Sequence, residues 1–299
     1  MRKLWLWVVI LCLCAAGAEA ETEITLTFGG DCVLGTREEW VGDDDNFEAC
    51  VAEKGMDWCF SGIGGLFAQD DLTLINLECV LQDGNKGHNN KKQHTFRGKT
   101  AYAQMLTDAS VEAVNIANNH YIDYNQSGEK STKAALAAEG IEYCGYKNLF
   151  VFEKDGHKIG FGGCRETVFY ENKAVVYRDI QKLKKQGCDV IVYCCHWGVE
   201  YDPTHNDKQE RMAQYAVNSG ADIVVGTHPH VVQGIENRDG CAVLYSLGNL
   251  VFGGTHDMKT FDAILARATL RFGDDGAYQG VLIDLIPVLT SGSAPENDF

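Results

Sequence analysis

Polar and apolar residues alternate along parts of this chain with the period of a strand, and between those parts apolar residues recur with the period of a helix. Residues 23–28, Glu-Ile-Thr-Leu-Thr-Phe, alternate strictly and predict a strand ended by Gly29-Gly30-Asp31. Residues 72–78 and 111–116 predict two more strands, and the apolar run at 189–195 a buried one. Shorter strands are expected at 141–145, 150–152, 157–163, 223–225 and 242–245. Residues 265–272 and 278–286 alternate as a hairpin around Asp274-Asp275-Gly276. Helical patterns cover 101–109, 127–139, 179–186 and 208–219, the last three closed by Gly140, Gly187 and Gly220. Residues 37–60 are acidic and irregular and predict a solvated loop. Strands alternating with helices, with no repeat or linker, predict one α/β domain.

The strand ends carry the polar chemistry. Gly226 stops the run Ile223-Val224-Val225, and Thr227-His228-Pro229-His230 follows. Pro229 fixes its own φ and biases His228 toward extended backbone. The loop therefore predicts two stiffly held imidazoles at the carboxyl end of a strand, where open α/β sheets place their ligands. Asp31, Glu78, Asn119 with His120, and His196 end four other strands. In a mainly parallel sheet these ends converge on one edge. Two carboxylates, one amide oxygen and several imidazoles suit Mn²⁺, Zn²⁺ or Fe and not a thiolate zinc site. A carboxylate shared between two ions would set them about 3.5–4 Å apart, a geometry that stabilises both oxygens of a phosphoryl displacement. Arg97, in Phe96-Arg97-Gly98, is a candidate oxyanion or phosphate contact because its fork pairs bidentately. Residues 83–94, with Lys86, Lys91 and Lys92, suit a solvated hairpin tip or a clamp for an anionic substrate.

Composition narrows the partners. A chain of 299 residues, 45% hydrophobic, can bury a full core. A formal net charge of −16 disfavours nucleic acid and anionic lipid, so an anionic substrate needs a local positive centre, which metal ions would supply. Arg2-Lys3, an apolar stretch at 4–16 and Ala18-Glu19-Ala20 predict a secretory signal over residues 1–20 and an exported, extracytoplasmic domain over 21–299. An uncleaved N-terminal anchor is the alternative. The 12 cysteines follow no framework spacing and are expected mostly as small buried hydrophobes, with Cys50 and Cys59 the pair expected to be bridged. Cys32, Cys79 and Cys195 each adjoin a proposed ligand, and strand alternation should turn these thiols to the core.

The ordered motifs Gly30-Asp31, Asn76-Leu77-Glu78, Phe96-Arg97, Ala117-Asn118-Asn119-His120 with Asp123-Tyr124, and His196-Trp197-Gly198 with Glu200-Tyr201 belong together. They continue in Gly220-Ala221-Asp222, His228-Pro229-His230-Val231-Val232-Gln233 with Glu236, and Ser246-Leu247-Gly248-Asn249. In these, from about residue 23 to 286, the chain resembles the CapA family of bacterial poly-γ-glutamate capsule-synthesis proteins, a branch of the calcineurin-like metallophosphoesterase superfamily. The resemblance implies a four-layer α/β/β/α sandwich with one or two divalent transition metals (Mn, Zn or Fe) at the sheet edge. It implies that Glu78 bridges two ions, that Asn119, His196 and His228 complete one site, and that Asp31 and His230 serve the other. His120 would protonate a leaving group, with Arg97 and the metals on the oxyanions. The superfamily usually has a histidine two residues after its first aspartate; Val33 stands there, and Leu250 stands where the family favours Phe. The implied partners are a phosphoester substrate or an anionic polymer, no nucleic acid, and membrane-bound capsule-synthesis machinery. A metal-dependent site that binds the polymer or a cell-envelope component without cleaving it is the alternative to catalysis.

Overall fold

In a computed structural model of the chain, which describes residues 22–292 and 296–299, two large sheets lie face to face. The signal expected at residues 1–20 lies outside the described residues. The first sheet runs Tyr278–Leu289, Asp262–Phe272, Thr22–Val33, Leu72–Leu77, Ala113–Asn115, Glu142–Cys144, and Asn249–Phe252 pairs with the far end of Thr22–Val33. The second runs Ile235–Arg238, Cys241–Leu244, Ile223–Thr227, Val190–His196, His157–Arg165, Phe150–Lys154. Each has a parallel centre, with antiparallel hairpin strands at one edge of the first and at both edges of the second. A small third sheet joins Thr36–Arg37, Phe96–Gly98 and Val80–Leu81.

The period-two pattern explains the layers. Ile24, Leu26, Phe28, Leu72 and Leu74 of one sheet meet Ile159, Phe161, Val190, Val192, Ile223 and Val225 of the other in a single apolar interface. The intervening residues face outward. Ile75, Leu77 and Val114 pack with Met105, Leu106 and Leu136 of the helices Ala103–Asp108 and Asn125–Ala138. Ile191, Tyr193 and Val224 pack with Ile180, Leu183, Met212 and Ala216 of the helices Ala174–Lys185 and Asp207–Ser219. The result is the expected α/β/β/α order. Each large side chain buried in these layers contributes roughly 1.5–3 kcal/mol. The expectation for the thiols also holds: Cys32 and Cys79 fall in the first outer cluster and Cys195 in the second.

Several local expectations need correction. Residues 37–60 are not a solvated loop: they form the helix Phe47–Lys54 and two short 3₁₀ turns, and Phe47, Val51 and Phe60 are buried. Asn46 caps that helix by accepting from the Ala49 N–H at 2.9 Å, a signal hidden within the acidic run. Cys50 and Cys59 are free thiols. Cys50 Sγ donates to the Asp298 carbonyl at 3.5 Å, and burial pushes the Cys59 thiol up to about 12. The strand Asn249–Phe252 and the helix Glu166–Glu171 were not legible from periodicity, being only one turn or a few residues long. Among the described residues no helix is long and apolar enough to cross a membrane.

Candidate functional site

The apolar interface between the sheets turns polar at one end. Continuing the inward register past Leu72 and Leu74 reaches Asn76 and Glu78, and past Val192 and Cys194 it reaches His196. Asp31 arrives by a different route, because the pairing register of its strand shifts between Phe28 and Asp31. Gly30 makes that shift possible: a Cβ there would lie 1.9 Å from the Gly248 carbonyl oxygen, which accepts the Asp31 N–H at 2.9 Å.

Asp31 is fully buried and surrounded by donors. Oδ1 accepts from Asn76 Nδ2 at 2.7 Å, the His228 N–H reaches Oδ2 at 3.0 Å, and His230 Nδ1 lies 3.2 Å from Oδ2. Burial alone would push this carboxyl up; the hydrogen bond and charge of His230 outweigh it and hold Asp31 well below the usual carboxylate range. Glu78 is also fully buried, yet neither of its oxygens has a hydrogen-bond partner. Burial first, and then the charge of Asp31, push it well above the usual carboxylate range.

The imidazoles come from the other sheet. His196 Nε2 lies 2.7 Å from Asn119 Oδ1 and 3.5 Å from Glu78 Oε1, and Nδ1 lies 3.1 Å from the Thr227 hydroxyl. Burial and the neighbouring His228 hold it neutral. The His228 Nδ1 is buried without a partner, and burial lowers its pKa to about 4. Its backbone departs from the extended form expected beside Pro229: φ is 101° at His228 and 58° at His230. A β-like φ is traded for the N–H bond to Asp31, and strain of about 1–3 kcal/mol at such a position is usual for functional sites. His230 Nδ1 also lies 2.9 Å from Asn249 Oδ1; burial opposes its protonation, but Asp31 raises its pKa overall.

All six expected ligands therefore meet. One ligand atom each from Asp31, Glu78 and His196 lie within 4.8 Å of one another, and so do those from Glu78, His228 and His230. Glu78 is common to both groups. Carboxylate oxygens that accept no hydrogen bond, clustered with imidazoles, fit a divalent cation held by O and N donors. Val33 is buried in the apolar cluster and offers nothing to this set.

His120 stands beside the set, in a cavity of ≈400 Å³ that it shares with His230. Its Nδ1 lies 2.7 Å from Asp123 Oδ2, and its ring stacks on Phe96 at 4.2 Å between centroids. Asp123 also accepts the Phe96 N–H at 2.7 Å and binds Lys92, whose Nζ donates to the Asn119 carbonyl at 2.7 Å. Lys92 is thus neither a free loop residue nor a substrate clamp; it ties the 83–94 loop to the Asn119–Asp123 turn. Arg97 needs a correction as well. It does not line the cavity: Nε donates to Glu38 Oε2 at 3.0 Å, and the side chain is buried beside Tyr124. The cations that do line it are Arg37 and Lys259, which sequence patterns did not single out. Asp123, three residues beyond His120, and Asn76, two before Glu78, were recoverable from spacing; Asn249 was visible only as part of a motif.

A family model described as bacterial capsule synthesis protein PGA_cap matches residues 25–254. The chain belongs to this family. Its capsule-synthesis relatives include the PGA biosynthesis protein CapA of Bacillus subtilis (strain 168), 29% identical over 88% of this chain and 72% of that one. The capsule biosynthesis protein CapA of Bacillus anthracis is 27% identical over 91% of this chain and 69% of that one. Among solved structures, the NAD nucleotidase NadN of Haemophilus influenzae superposes with a TM-score of 0.53 at 14% identity, covering 90% of this chain and 50% of that one. This chain thus spans half the length of that nucleotidase, and the likeness is one of fold: the capsule-synthesis chain has a metallophosphoesterase-like α/β/β/α sandwich.

Proposed function

We propose that this chain is an exported protein of poly-γ-glutamate capsule synthesis whose sheet-edge site holds one or two divalent transition metals and acts on a phosphoester. The observation that carries the metal site is that the buried Glu78 oxygens meet no donor, while Glu78 stands within 4.8 Å of ligand atoms of His228 and His230. A cation there would satisfy the orphaned Glu78 oxygens and supply a Lewis acid for a phosphoryl oxygen. Glu78 is the shared ligand. The contact of His196 with Asn119 supports grouping them with His228 in the tighter site, and the contact of Asp31 with His230 supports the weaker one. The metal-free side chains cross that division, since His228 stands near His230 and His196 near Asp31.

His120 is the acid–base group. In neutral form, Nδ1–H donates to Asp123 and Nε2 carries the lone pair. Nε2 therefore takes a proton before it gives one to a leaving oxygen. Burial lowers the pKa of the ring, which keeps it in the neutral form. The burial of Arg97 against Glu38 removes one expected oxyanion contact; binding of an anionic polymer without cleavage is the second function.

Elemental analysis of protein purified without chelator, followed by chelator titration, tests the metal site. One equivalent should leave well before the second. His196→Ala should abolish the tight equivalent and His230→Ala only the weaker one; release of both in one step contradicts this assignment. Export rests on the residue 1–20 pattern, and a mature chain beginning at Glu21 checks it.

A further inference from the structure

The cavity beside His120 and His230 has a wall that the six ligands do not use. Arg37 lies over the Trp40 ring, its guanidinium carbon 4.5 Å from the centroid, and Nε donates to the Gly254 carbonyl at 2.7 Å. Lys259 places Nζ 3.7 Å from the Tyr201 centroid. Tyr201 is fixed next to the histidine loop: its φ is 64°, and its N–H donates to the Pro229 carbonyl at 2.7 Å. Trp40 packs on His256 at 4.7 Å between centroids, closing the wall.

Neither cation has a carboxylate partner among the described residues, whereas Lys92, Arg97, Lys154, Arg238 and Arg271 do. In a chain of net charge −16, two cations at the mouth of a cavity, each stacked on an aromatic ring and in no ion pair, are a recognition feature. The aromatic faces hold them in place without neutralising them. They sit on separate rings, and Glu200 and Asp257 line the same wall. Single cations on separate rings suit carboxylates spaced along a chain, and Glu200 and Asp257 would oppose that binding. A compact phosphate dianion needs converging donors instead.

We propose that Arg37 and Lys259, on Trp40 and Tyr201, form a second anion subsite that takes the carboxylates of an extended γ-linked glutamate chain while another part of the ligand occupies the site beneath. The proposal rests on the anionic ligand of the proposed function but not on the metals. Arg37 pairs through its fork, Lys259 as a point charge.

Calorimetric titration of the full chain, metal-loaded and metal-free, with glutamate, a short and a longer γ-linked glutamate oligomer, and inorganic phosphate tests it. Affinity should rise with oligomer length. Arg37→Gln and Lys259→Gln should each weaken the longer oligomer about tenfold, the scale of one charge-assisted hydrogen bond, and leave free glutamate and phosphate unchanged. Arg37→Lys should restore part of the loss, and Glu200→Gln should tighten binding. Unchanged melting temperatures separate these effects from misfolding. An oligomer bound no tighter than glutamate, or variants that lose phosphate and oligomer alike, would overturn the subsite. A wild-type protein that takes up no metal yet keeps the tenfold differences would sink the metal site alone. Stoichiometric metal with no such differences would sink the subsite alone.

Discussion

The two sheets bring opposite chemistry to one cleft. The sheet of Thr22–Val33 and Leu72–Leu77 presents oxygen, through Asp31, Glu78 and the Asn119 that follows Ala113–Asn115. The sheet of Val190–His196 and Ile223–Thr227 presents nitrogen, through His196, His228 and His230. Burial drives both sets toward their neutral forms, pushing the Glu78 carboxyl up and the His196 and His228 imidazoles down. Where the sheets touch, the effect reverses: Asp31 is held ionised and His230 is raised, each by the other. Ionisation here is a property of the contact between sheets, and Glu78, which stands 3.5 Å from His196 yet accepts no hydrogen bond, is where a cation has most to gain.

Glu78→Gln should break the comparison most sharply. It removes the shared oxygen ligand and also the cost of burying an ionisable carboxyl beside Asp31. Metal affinity should fall by more than about hundredfold, beyond the 10–100-fold typical of losing an outer-shell partner. The metal-free protein should melt at a higher temperature than wild type. Calorimetric metal titration and thermal denaturation with and without metal read both effects; retained affinity would remove Glu78 from the centre.

His120→Ala should cost any phosphoesterase turnover at least about 10²-fold, the scale of losing an acid–base group. Metal content should not change, because His120 lies outside the ligand set. Unchanged turnover would remove it from the chemistry. If wild type has no phosphoesterase turnover and still binds polymer, the binding function replaces the catalytic one.

The smallest effect is a pH dependence that separates two histidines of one loop. The folded pKa of His228 is about 4, below its unfolded value of about 6.5, so between those values the unfolded chain holds the extra proton. Stability of the metal-free protein should therefore fall as pH drops through that window and level off below it. His230 acts the other way. Its raised pKa contributes stability that is fully present below about 6.5 and is lost as pH rises through the folded value. Melting temperatures across this range should show a shallower acid slope in His228→Ala and a shallower alkaline slope in His230→Ala. Identical slopes in both would contradict the opposed environments.

The sequence by itself determined the alternation of strands and helices, and that polar residues end the central strands, because both follow from local periodicity and from glycines that stop a run. It placed Cys32, Cys79 and Cys195 on the core side for the same reason: the pleat turns neighbours to opposite faces. It did not carry the division into an oxygen sheet and a nitrogen sheet, since which strand ends meet depends on the face-to-face packing of segments far apart in the chain. Nor did it carry the partners of the cations. Arg97 and Arg37 stand on adjacent strands of the small sheet, yet one is buried against Glu38 and the other is stacked on Trp40 at the cavity. The left-handed backbone of His228 was likewise decided by a long-range contact, because the N–H bond to Asp31 outweighs the local bias that Pro229 imposes.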